Sequence, residues 1–134
     1  MSRPDPIAEN MSFLLAELDG QLTRLIAYFD SPRTEIALQL VQRAGYSHNL
    51  SVRVRKACLA GMMRGKTSGA TQLRLQGIDT IARNLDLISR LGRRAVEQAE
   101  RVDRQKLLRA ETYGPPLKRV RKTVARINEA LEAR

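Results

Sequence analysis

The stretch AGMMRGKT at residues 60–67 satisfies the loose pattern of a phosphate-binding loop: a small residue, four unrestricted positions, then Gly65, Lys66 and Thr67. Such a loop carries the chain from a strand into a glycine-rich turn, whose amides surround phosphate at the start of a helix. It also needs parallel strands and an acid at a strand end to hold magnesium. The preceding LSVRVR alternates as a strand would, yet no other strand pattern and no apolar run ending in Asp accompanies it. The same residues fit a helical row through Leu50, Val54 and Ala57. Gly65 therefore reads as the left-handed stop of a helix, followed by a connector. His48 has no carboxylate or cysteine close to it in sequence, which makes it a poor metal ligand or base. Cys58 stands alone on an apolar row, so it reads as a small core residue. A single cysteine forms no internal disulfide and no zinc knuckle, and it fits a reducing cytoplasm. No residue set supports catalysis, and neither an enzyme nor a cofactor is expected.

The elements that carry these residues read as helices. One domain suits 134 residues. Five aromatics and no Trp leave Leu, Ile, Val, Ala and Met to build the core, which favours helix over sheet. The N-terminal decapeptide MSRPDPIAEN lacks an apolar signal core, and no run approaches the ~18 apolar residues of a membrane span. Asp5-Pro6 opens a first helix with a cap and an initial proline. Its apolar residues Met11, Leu15, Leu18, Leu22, Leu25 and Phe29 fall on one face. Ser31 and Pro32 then predict a cap and an opening for a second helix running to about Arg64. Its inner face reads Ile36, Leu40, Ala44, Ser47, Leu50, Val54, Ala57, Cys58 and Met62, with Ser47 interrupting the row and Gly45 weakening it. AGYSHN is the soft place in that helix. The third helix spans about residues 68–110, with a row through Ile78, Ile81, Leu85, Ile88, Gly92, Ala95, Ala99 and Val102. Spacings that alternate three and four describe a bundle or coiled-coil face, and the small residues at its middle admit a close neighbour. Gly114, Pro115 and Pro116 predict a stop. Leu117, Val120, Val124, Ile127 and Leu131 then predict a fourth amphipathic helix.

Charge narrows the partners without choosing one. Lys and Arg number 24 against 14 Asp and Glu, a formal charge of +10. A basic balance suits nucleic acid, an acidic membrane surface or an acidic protein. On the third helix each acid lies four residues before a base: Asp79 and Arg83, Asp86 and Arg90, Glu97 and Arg101, Glu100 and Arg104. That order stabilises an exposed helix by ~0.3–0.5 kcal/mol per pair and describes a solvated face. Residues 31–66 are different, with seven bases against Glu35 alone. Arg53, Arg55 and Lys56, with Arg64 and Lys66, form the first candidate patch for a polyanion or an acidic partner. Lys118, Arg119, Arg121 and Lys122 form the second. Neither has interleaved aromatics for base stacking.

With the helices placed, residues 13–59 resemble the first two helices of a PhoU repeat, with a Ser-Pro turn between them and Cys58-Leu59 near the end of the second. The stretch GIDTIARNLDLISRLGRRAVEQA is similar to that repeat's third helix. The resemblance covers about residues 10–110. It implies an all-α fold: an antiparallel three-helix bundle of long helices over residues 6–112, plus a fourth helix over 117–134 that would open a second repeat. It also implies a non-catalytic cytoplasmic regulator of phosphate or other ion uptake, peripheral to the inner membrane surface. The implied partners are a membrane transporter or sensor kinase, with self-association through an exposed face as a further expectation. Nucleic acid is the alternative partner. The family's third helix carries an acidic motif, Asp-Leu-Glu-Arg-Ile-Gly-Asp, which can hold metal ions. Here Asp86 is the one acid in register, while Asn84 and Arg90 stand where the other two would be. Asp86 is thus the candidate metal ligand, with a fixed positive charge at Arg90 that would repel a cation.

Overall fold

The computed structural model describes residues 5–65, 68–101 and 110–132, and the chain is all-α. Among the described residues four helices follow in order: α1 (Pro6–Asp30), α2 (Thr34–Met63), α3 (Gly69–Arg101) and α4 (Ala110–Glu132). Asp5 caps α1 as expected, its Oδ1 accepting from the Ile7 amide at 3.0 Å. The start of α2 differs from expectation. Arg33, not Ser31, is its N-cap residue, and the amides of Ile36 and Ala37 donate back to the Arg33 carbonyl. Ser31 instead closes α1, donating its amide to Ala27 O at 2.9 Å. Proline at 32 sits in the link, where its missing N–H costs no helical bond.

α2 passes through Gly45 without a break. The soft place is a weakness in propensity only, because tertiary packing holds the turns on either side. A Cβ added at Gly45 would meet nothing within 4 Å. Gly45→Ala is therefore expected to raise stability by about 0.5–1 kcal/mol in urea unfolding.

The expected left-handed stop at Gly65 is not formed, since no described glycine has a positive φ. The last turn of α2 is closed from outside instead: Gln72 Nε2 on α3 donates to Met62 O at 3.1 Å. Ser68 then caps α3, accepting from the Thr71 amide at 3.2 Å. Lys66 and Thr67 of the phosphate-loop pattern lie outside the described residues, as does Val102.

α4 begins seven positions before Leu117 and runs through Pro115 and Pro116. Each proline forfeits one backbone bond of the second turn. Packing against α1 offsets this: the Tyr113 ring stacks on Phe29, with centroids 5.1 Å apart.

α1 is the common neighbour, packing against all three other helices, while α2 also packs on α3. Among the described residues α4 packs on α1 alone. The α2–α3 and α1–α4 pairs are antiparallel, as the contacts Arg55–Asp79 with Ser47–Ser89, and Asp19–Arg121 with Phe29–Tyr113, require; for α1–α2 the short link at 31–33 with the Glu17–Arg43 contact requires the same. Every residue of the expected α1 row is buried, joined by Leu14 and Tyr28.

The α3 row is rotated from expectation. Its buried positions are Leu75, Ile78, Ala82, Leu85, Ser89, Val96 and Ala99, while Ile81, Ile88 and Ala95 are half-buried at its edge. The closest approach to a helix backbone is also displaced. A Cβ at Gly61 would come within 2.9 Å of Leu75 Cδ1, whereas one at Gly92 would only touch Leu25.

Candidate interaction surface

The reason for the rotated row is a polar layer at the middle of the three-helix core. Ser47 is fully buried and bonds to Ser89 Oγ at 2.8 Å. Ser89 donates to Gln21 Oε1 at 2.6 Å, and Gln21 Nε2 donates to Glu17 Oε1 at 3.3 Å. Arg43 completes the circuit with two bonds to the Glu17 carboxylate, at 2.9 and 2.6 Å. The chain of bonds passes from α2 to α3, to α1 and back to α2. With the Ser89 proton given to Gln21, the one Ser47 proton has two acceptors within reach, Ser89 Oγ and Ala44 O at 3.0 Å. Buried polar groups need such partners, and a satisfied set fixes which helices meet and in what register. The Glu17 carboxyl is held below its ordinary value of about 4.5, first by the hydrogen bonds from Arg43, against the opposing effect of burial.

Below this layer Ser51 donates to Ala82 O at 2.9 Å. His48 is the second correction to sequence reading. No carboxylate lies near it in sequence, but folding brings Asp86 to 3.3 Å from its Nδ1. Asp86 also faces Arg90 at 3.5 Å, the pair expected from their spacing. The candidate metal ligand thus sits, largely buried, between an imidazole and a guanidinium. The fixed positive charge of Arg90 beside Asp86 disfavours a cation there. Among the described residues no three histidine, cysteine or carboxylate side chains converge.

Asp79 and Arg83 pair at 3.3 Å, as their spacing predicts. Glu97 lies 3.7 Å from Arg93, one turn before it, where the expected partner was Arg101, one turn after it; Arg104 lies outside the described residues. Cys58 is buried, and burial pushes its thiol pKa up, with the charges of Asp79 and Asp5 adding to the effect. A raised pKa lowers its nucleophilicity at neutral pH.

The two basic patches do not form one surface. α2 and α4 lie on different flanks of α1 and do not touch among the described residues. Two of the candidate cations are already engaged: Arg55 with Asp79 at 3.3 Å, and Arg121 with Asp19 at 2.9 Å. Arg53, Lys56 and Arg64 are exposed on and just beyond α2, and Lys118, Arg119 and Lys122 on α4. Lys66 lies outside the described residues.

What sequence reading missed is the company that Arg53 and Lys56 keep. The outer side of α2 carries Leu38, Val41, Leu59 and Met63, which are 54%, 39%, 54% and 76% exposed. With Gly45, His48, Val52 and Lys56 between them they form a second row at three- and four-residue spacing. It runs about 37 Å along the helix, about 120° around it from the buried row. The signal was present in the spacing, but apolar residues on both sides of α2 blur its amphipathic contrast.

Comparison with protein-family models, curated proteins and solved structures found no match. Among the described residues no helix is long and apolar enough to cross a membrane.

Proposed function

We propose that this chain is a non-catalytic helical module that works by binding a protein partner along the outer side of α2. The observation that carries this reading is the exposed row Leu38, Val41, Leu59 and Met63 on a helix whose other side is already packed. Exposed apolar residues that share one side of a helix mark interaction sites, here as two pairs, Leu38 with Val41 and Leu59 with Met63, on either side of Gly45, His48, Val52 and Lys56. A polyanion would be met by a cation-rich face, whereas the outer row of α2 carries one lysine, Lys56, among four exposed apolar residues.

The narrower form of the reading is a PhoU-like regulator of phosphate or other ion uptake, acting through a membrane transporter or an associated sensor kinase. Three long helices followed by a fourth, in the order the resemblance implies, support it. A photo-reactive residue at position 59, introduced into the full chain in its native cells, is expected to give a discrete protein adduct. The same residue at Leu87, which is similarly exposed on α3, is expected to give none. Equal labelling at both positions, or none at either, removes the reading.

One observation favours the polyanion alternative. Lys118, Arg119 and Lys122 are exposed on α4, and among the described residues no acid is paired with them. Duplex binding that weakens steeply with salt and disappears when these three become Gln would support that alternative.

A further inference from the structure

A pocket lies between α1, α3 and α4, with no α2 residue in its lining, and what it binds is independent of the protein-binding reading above. We infer that this pocket holds a small amphiphilic anion, an unbranched carboxylate of about eight carbons, with its tail among the apolar side chains and its head at Arg74.

The pocket follows from how the helices pack. α3 and α4 both lie on α1, but among the described residues they do not touch each other. Near the start of α1 this leaves a hollow of about 230 Å³. Met11, Leu15 and Ile78 line it and are buried, while Ile7 and Leu131 line it and are half-buried. Water in such a hollow finds few partners, so an apolar tail replaces it favourably. An apolar cavity of ~150 Å³ accepts a six-carbon ring, so by proportion this one takes on the order of nine heavy atoms.

The polar groups argue for an anionic head. Arg74 and Ser12 are exposed members of the lining, and Asn128 is half-buried. No carboxylate lines the pocket among the described residues, and Arg74 makes no ion pair with a described acid. A guanidinium beside an apolar hollow favours an anionic head over a neutral or cationic one. Its planar fork also matches the two oxygens of a carboxylate.

Three ligands with one tail and different heads test this: octanoate, octanol and octylamine, titrated into the full chain by isothermal calorimetry at low salt. Octanoate is expected to bind at one site, about fivefold more tightly than octanol, the upper range for an ion pair open to water. Octylamine is expected to bind more weakly than either. Arg74→Gln is expected to lower the octanoate affinity to that of octanol and to leave octanol unchanged. Ala8, an exposed member of the lining, offers a way to fill the hollow, and Ala8→Phe is expected to abolish binding of all three. Circular dichroism should show both variants folded, since neither position is buried.

No saturable binding of octanoate, or equal binding of octanoate and octanol, overturns the assignment. So does octanoate binding that survives both Arg74→Gln and Ala8→Phe, because it then takes place elsewhere. The crosslink at position 59 reports on α2 alone, so the two readings fall separately.

Discussion

Leu18→Ala is expected to cost about 3–4 kcal/mol of unfolding free energy, measured by urea denaturation followed by circular dichroism. Leu18 is fully buried on the helix that touches all the others. With Leu40 of α2 and Ile88 of α3 it lines a small void of about 10 Å³ between the three helices. Truncation removes the transfer free energy of the lost methyl groups and leaves a cavity that rigid helices cannot close. Against a total stability of about 5–15 kcal/mol, that loss is large. A cost under ~1 kcal/mol would mean that the α1 row is not where the three helices meet.

Arg43→Met is the second large effect, and it acts through Glu17 more than through Arg43. The arginine side chain is 48% exposed, but the glutamate it holds is 7% exposed. Removing the guanidinium leaves a buried carboxylate with Gln21 as its remaining partner. Breaking a fully buried pair costs about 3–5 kcal/mol, and half-exposure of one partner brings this to about 2–3 kcal/mol. The double variant Glu17→Met/Arg43→Met is expected to recover to within about 1 kcal/mol of the parent, because the stranded charge is gone.

The pH dependence follows the same pair. The folded-state pKa of Glu17 is depressed below about 4.5, so its contribution is present above that value and is lost as pH falls through the lower, folded value. In Arg43→Met the hydrogen bonds that depress the pKa are absent and burial favours the protonated form. The stability gap between parent and variant is therefore expected to narrow from about pH 7 to about pH 4. A gap that stays constant with pH would place the carboxylate outside the energetics of the core.

Much of this fold was legible because apolar spacing alone dictates it. The α1 row, the inner row of α2 and the four-helix order are all set by a period that needs only sequence neighbours. What escaped depends on residues far apart in the chain. Ser47 looked like an interruption and Ser89 was not in the expected α3 row, because no single segment reveals that they bond to each other across 42 positions. Once they pair, burial of serine costs little, and the true α3 row runs through Ser89 and Val96 instead of Ile88 and Ala95. His48 and Asp86, 38 residues apart, were separated for the same reason.

Helix ends were the other weak point. A side chain from α3 closes α2 where a glycine was expected, and packing carries α4 through two prolines that usually stop a helix. The candidate binding cations were found by counting charge. Their setting was missed because the pairing of Arg55 and Arg121 exists only in the fold, while the outer row of α2 was masked by the apolar residues of its inner side.

α2 has two apolar sides, one packed into the core and one exposed. The most direct test is the stability of L38K/L59K/M63K, which places three charges on the outer row without touching the inner one. Urea unfolding is predicted to match the parent within about 0.5 kcal/mol per substitution, as for exposed positions elsewhere. A combined loss above ~4 kcal/mol, with helicity falling at moderate temperature, would show that these residues hold the bundle together and would contradict the account.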